Sequence, residues 1–156
     1  MIWGGFLASL FFCLYLLHVM STLGFSHLKQ KYSHFITPDC QIDCDHGWSR
    51  LLEDLCAAIN LLMSSDPIYV NFRISSIKQK FGVLMIEYNS SDELIQEIID
   101  FTHTLSYNTC EICGQEGKLH ASLRWSKWSS YKTLCNTHAV RFRYYEINLM
   151  KGKGVK

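Results

Sequence analysis

Residues 109–139 read TCEICGQEGKLHASLRWSKWSSYKTLCNTHA and hold three of the chain's seven cysteines. Cys110 and Cys113 form a Cys-x-x-Cys, and after a gap of twenty-one residues Cys135 opens a Cys-x-x-His that closes on His138. A Cys-x-x-Cys turn brings two sulfurs to one point, with backbone amides free to stabilise thiolates. A Cys-x-x-His in the first turn of a helix brings a second pair onto one face. Four such ligands in two chelating pairs suit tetrahedral Zn²⁺. Between the pairs, KLHASLRWSKWSSYKTL alternates loosely and predicts a hairpin, while CNTHAVRFRYYEINLMK predicts a helix beginning at or near Cys135. Knuckle, hairpin and ligands on a helix start follow the treble-clef order. Gly114, directly after the second cysteine, permits a left-handed turn.

Three other readings of these cysteines stay open at this level. A redox pair needs a thioredoxin-like setting and leaves Cys135 and His138 unused. Disulfides conflict with a reducing compartment. Buried thiols can also be inert small hydrophobes. If a metal is bound, four protein ligands close its shell, which favours a structural role over a catalytic one. Cys40 and Cys44, with His46 nearby, form a looser pair that reads as ordinary thiols, since no partner pair is visible.

Upstream, GWSRLLEDLCAAINLLMSS carries apolar residues at helical spacing from Trp48 to Met63, with Asp45 as a capping residue and Pro67 as a stop. IYVNFRISSIKQKFGVLMIEYN predicts two strands around a turn near Ser75 to Lys80, and VLMIEY predicts a strand with both faces covered. SSDELIQEIIDFTHTLSYN predicts a helix capped by Ser91 or Asp92, with Leu94, Ile95, Ile98, Ile99 and Leu105 as its buried stripe. The expected class is α+β, a small helix-strand-strand-helix domain with an antiparallel pair, followed by a treble-clef-like zinc module.

The first 28 residues hold no Lys, Arg, Asp or Glu, and MIWGGFLASLFFCLYLLHVMSTLG is apolar on every side of a helix. About 22 such residues match a bilayer core. The first competing reading is a cleaved signal peptide, but MIWGG has no positive side chain and the run is long; the other is a buried core helix or a misplaced start. Lys29 and Lys31 follow the run, so the positive-inside rule places the rest of the chain in the cytoplasm. The expected organisation is a transmembrane helix over 1–24, a linker over 25–46, an α+β domain over 47–108, a zinc module over 109–150 and a disordered basic tail over 151–156. The expected address is a bacterial inner membrane, crossed once.

Charge divides along the chain. Residues 39–109 carry 4 basic and 11 acidic side chains, whereas residues 110–156 carry 9 basic and 3 acidic ones. The basic part interleaves Arg124, Lys127 and Lys132 with Trp125 and Trp128, and continues to Arg141 and Arg143. Such a mixture holds phosphate backbones, stacks bases or meets anionic lipid. The opposing expectation is that these tryptophans pack beside the metal and that the two charge blocks neutralise each other.

Four segments, DHGWSRLLEDLC, KQKFGVLMIEY, TCEICGQEG and TLCNTHA, together resemble a family of small proteins of phages and prophage-bearing bacteria that has no agreed activity. The resemblance spans about residues 43–140. It implies a compact zinc-binding domain with Cys110, Cys113, Cys135 and His138 as ligands. Members usually carry a second Gly after Phe-Gly, where this chain has Val83, and a membrane segment is not a usual feature. No Ser–His–Asp order, phosphate loop or paired-carboxylate site stands out. The expected function is therefore binding rather than catalysis: a membrane-anchored zinc protein acting on a protein partner, in a phage or prophage accessory or exclusion role. The alternative is a nucleic-acid-binding zinc module held at the membrane.

Overall fold

The computed structural model describes residues 25–122 and 131–147. Its elements run α1 (Ser26–Lys31), β1 (Ile36–Asp43), α2 (Ser49–Ser65), β2 (Ile74–Lys80), β3 (Val83–Tyr88), α3 (Glu93–Ser106), β4 (Lys118–Ser122), β5 (Tyr131–Leu134), α4 (Asn136–Phe142) and β6 (Tyr144–Glu146). Short 3₁₀ turns at His46–Trp48 and Pro67–Asn71 flank α2.

Helix α2 forms because Leu52, Leu55, Cys56 and Ile59 recur on one face, and all four are buried. It stops where Asp66 turns extended ahead of Pro67, a residue that disfavours helix in its predecessor. Helix α3 begins at Asp92, whose carboxylate accepts from the backbone N–H groups of Leu94 and Ile95 at 3.0 and 3.1 Å. The strands form two sheets, in the orders β1-β2-β3 and β5-β4-β6. In the first, β1 runs parallel to β2 and β2 pairs antiparallel with β3; in the second, β4 pairs antiparallel with both neighbours. Trp48, Leu52, Ile59, Ile77, Leu84 and Ile95 all belong to the core between the first sheet and the helices. Burying each such side chain contributes about 1.5–3 kcal/mol.

Several expectations are corrected here. Residues 25–46 are not a linker: they form α1 and β1, and Phe25, Leu28, Tyr32, Phe35 and Ile36 are core residues. The apolar residues of this stretch show too little periodicity to announce themselves, because each fills a gap beneath elements supplied by later sequence. The domain therefore gains a parallel edge strand beyond the expected antiparallel pair. Residues Ser75 to Lys80 belong to a strand, not a turn; the chain reverses at Phe81 and Gly82, with φ of 54° and 85°. Two consecutive positive φ values give a hairpin turn whose twist matches its strands. Strand VLMIEY is buried at Val83 and Leu84 but exposed at Met85, so it is not covered on both faces. The α3 stripe also divides: Ile95 and Ile99 are buried, whereas Leu94 and Leu105 face outward. The last helix ends at Phe142, because Arg143 adopts a left-handed conformation and turns the chain into β6.

The expected N-terminal transmembrane helix is corrected as well. Residues 1–24 lie outside the described residues, as does the tail 151–156. Among the described residues no helix is long and apolar enough to cross a membrane. The longest, α2, has 17 residues, short of the about 20 that a bilayer requires, and it carries charged Arg50, Glu53 and Asp54. The described fold is a mixed helix–strand unit with two small sheets, and it does not support single-pass anchoring in an inner membrane.

The Asp92 cap should carry about 1 kcal/mol. Asp92→Ala should lower unfolding stability by that amount in urea, and Asp92→Asn should restore most of it; no change in either variant would show that α3 starts without its cap.

Candidate metal centre

Two limbs build the centre. The first is the knuckle. Cys110 N–H donates to the Gln115 carbonyl at 2.7 Å and Gly114 N–H to the Cys110 carbonyl at 2.8 Å. Gly114 takes the left-handed conformation its position implied, with φ of 75°. The second limb is the start of α4. Cys135 is its N-cap in extended conformation, and His138 follows within the first turn. The two limbs are tied by Glu111 N–H donating to the Thr133 carbonyl of β5 at 2.9 Å.

The structure brings Cys110, Cys113, Cys135 and His138 together, with their ligand atoms all within 4.8 Å of one another. Cys113 Sγ lies 3.8 Å from Cys135 Sγ, and His138 Nδ1 lies 3.6 Å from Cys110 Sγ and 3.2 Å from Cys135 Sγ. With metal–sulfur bonds of about 2.3 Å and metal–nitrogen bonds of about 2.0–2.1 Å, tetrahedral edges would be about 3.8 Å between sulfurs and about 3.6 Å from sulfur to nitrogen. The donor set therefore fits a tetrahedral cation, and this Cys₃His group can bind a metal ion. Cys110 is buried and Cys113 exposed, so one corner of the centre meets solvent. Desolvation pushes the Cys113 thiol up to about 11. The Cys135 thiol is pulled below its ordinary value, chiefly by the backbone amide of His138 at the helix start. A cation would favour the thiolate at every sulfur. The His138 ring is stacked on Phe142, one turn along α4, at 6.0 Å between centroids.

The knuckle is seated on the first domain by residues that lie far away in sequence. Gly47 N–H donates to the Glu111 carbonyl at 2.7 Å, and the Trp48 indole N–H donates to the Thr109 carbonyl at 2.8 Å. A Cβ at Gly47 would sit 2.2 Å from the Cys110 carbonyl oxygen, so only glycine admits this approach. A Cβ at Gly82 would meet Leu119 at 2.3 Å, and the Gly82 carbonyl accepts from the Thr133 hydroxyl. Thus the β2–β3 turn is pressed against the second sheet.

Beneath the knuckle, the Lys132 ammonium bridges Asp45 at 2.7 Å and Glu111 at 3.1 Å. The Glu111 side chain is only 2% exposed. Burial pushes its carboxyl up, against the pull of Lys132. At Lys132 burial pulls down, but Glu111 and Asp45 outweigh it and hold the ammonium. Asp45 does not cap α2 with its side chain, as expected from sequence; its carboxylate goes to Lys132 instead.

The other candidate residues fall as follows. Lys132 is engaged internally and does not belong to a free basic face. Arg141 and Arg143 are exposed near the end of α4. Arg124, Trp125, Lys127 and Trp128 lie outside the described residues. Cys40, Cys44 and Cys56 are core thiols, and burial raises all three, Cys56 to about 12. Sequence reading passed over Asp45, Gly47, Glu111 and Gly82 as site-forming residues. The available signals were the position of Glu111 between two ligands and the HGW and KFG triplets in the recurring motifs.

Comparison with protein-family profiles, with curated proteins and with solved structures found no match. The resemblance to phage and prophage proteins therefore rests on the motifs alone.

Removing Lys132 strands a buried carboxylate, so Lys132→Met should cost about 3 kcal/mol, and Lys132→Met with Glu111→Leu should recover much of it. Urea unfolding of the two variants and of Glu111→Leu checks this as a double-mutant cycle. Losses in the double variant equal to the sum of the two single losses would mean that the ion pair does not hold the seam.

Proposed function

We propose that this chain is a non-catalytic binding protein in which a structural Zn²⁺ closes a treble-clef-like module onto an α+β domain. The observation that carries the reading is the closed donor set: three sulfurs and one imidazole nitrogen at tetrahedral spacing. Thiolate-rich tetrahedral sites favour zinc, and four protein ligands leave no position for a substrate. Cys110 and Cys113 would hold the ion from the knuckle, Cys135 and His138 from the helix. When bound, it supplies cross-linking between limbs that share little apolar core of their own: buried residues of the module's cluster are Cys110, Leu134 and Ala139.

The partner we assign is a protein. Support comes from the large apolar side chains left exposed on α3 and around it, among them Leu94 and Phe101. By the motif resemblance, the role is a phage- or prophage-encoded accessory one, such as modifying a host envelope or excluding other phages. The second reading, a nucleic-acid surface, draws on one observation: Arg141 and Arg143 are exposed beside exposed Phe142 and Tyr145. Against it, the Lys132 charge is already satisfied by carboxylates.

Purified full chain should contain one zinc per molecule by elemental analysis. Structural zinc in small modules contributes on the order of 10 kcal/mol. Cys113→Ser should therefore lose the metal and unfold the module, while the α2–α3 surface keeps its fold. Folded wild-type protein without metal would refute the zinc reading. Partner capture that survives Cys113→Ser would separate the interaction from the metal. For the second reading, single-stranded RNA retention that falls linearly with log salt and collapses in Arg141→Glu/Arg143→Glu would put nucleic acid ahead of protein.

A further inference from the structure

Helix α3 carries two adjoining apolar stripes. Ile95, Ile99 and Thr102 follow helical spacing and are buried against the core. Displaced by one residue, Leu94, Ile98 and Phe101 repeat the same spacing on the neighbouring face, where Phe101 is 65% and Leu94 46% exposed. Across from this second stripe, α2 presents Leu55 and Ala58, and between the helices lies a cleft of about 310 Å³. Asp54 and Glu97 also line it. Among the described residues, Glu97 has no ion pair, and Asp54 has only an exposed Arg50 at 3.9 Å.

We propose that this cleft docks a basic amphipathic helix of a protein partner. The proposal rests on the protein-interaction reading above and names its surface and chemistry. An apolar stripe at i, i+4 and i+7 facing a second helix is the shape that receives another helix's apolar face. The walls are helices whose backbone groups are internally paired, so they offer no edge for strand addition. Charge selects the occupant. The carboxylates at the cleft sit in a segment, residues 39–109, with 11 acidic and 4 basic side chains. A second copy of this face would set carboxylate against carboxylate, whereas lysines flanking the partner's apolar stripe would meet them. Phe101 is the central anchor, since aromatic anchors in a desolvated pocket dominate such interfaces.

The probe is a fluorescently labelled synthetic peptide with Leu at i, i+3, i+4 and i+7 and Lys elsewhere; its counterpart has Glu in place of Lys. Anisotropy titration with the metal-loaded full chain should show saturable binding of the Leu/Lys peptide and none of the Leu/Glu peptide. Phe101→Asp should weaken binding at least about tenfold. Glu97→Lys should weaken it several-fold, with the difference shrinking in high salt. Both positions are exposed, and circular dichroism with metal content verifies that the variants remain folded. Any of these outcomes overturns the proposal: no binding by the wild type, equal binding by Phe101→Asp, equal binding of the Leu/Glu peptide, or a wild-type dimer that Phe101→Asp converts to monomer. Helices α2 and α3 carry none of the metal ligands, so these failures are distinct from a failure of the zinc reading. A partner captured equally by wild type and Phe101→Asp would likewise sink the cleft while leaving the protein-interaction reading standing.

Discussion

Three thiols and an imidazole from two limbs of the chain, gathered within 4.8 Å of one another, form one donor set that only a shared cation can bind together. That constraint organises the second half of the molecule. The knuckle and the start of α4 are separated by more than twenty residues, and the module they form has few buried apolar side chains. Small modules of this kind gain their stability from a metal rather than from a core. The remaining contacts act as a seat. Gly47 lets the knuckle backbone approach, Trp48 and Glu111 hold it there, and Gly82 brings the β2–β3 turn against the second sheet.

The seat joins the two oppositely charged blocks of the chain, but through few groups. Lys132 from the basic block meets Asp45 from the acidic one, while its second partner, Glu111, is an acidic residue within the basic block. Lys118 pairs with Glu146, again within the basic block. Neutralisation across the seam is therefore local. It leaves Arg141 and Arg143 exposed near the end of α4, and Asp54, Glu93, Glu97 and Asp100 exposed on α2 and α3.

What could be read from sequence was the short-range chemistry. Cys-x-x-Cys and Cys-x-x-His are local chelates, so their spacing carries their geometry, and Gly114 took the left-handed turn its position implied. The α2 and α3 periodicity and the Asp92 cap are also local. What escaped was set by distant partners. Residues 36–43 become a strand because β2 offers a parallel edge thirty-eight residues on at Ile74, a pairing with no signature in the strand itself. Asp45 looked like a cap and serves as the partner of Lys132, eighty-seven residues away. The division of α3's apolar arc into a buried and an open stripe depends on how far α2 covers it, which periodicity does not encode.

The central claim is that the metal holds the knuckle on its seat. Amide hydrogen exchange of the Gly47 N–H, which donates to the Glu111 carbonyl, reads this directly. Exchange would be followed in metal-loaded protein and after chelation, with Ile77 and Ile99 in the core as internal references. The account predicts that chelation strips protection from Gly47 while the two references keep most of theirs. Unchanged protection at Gly47 after complete metal removal would contradict it, because the seat would then stand without the ion.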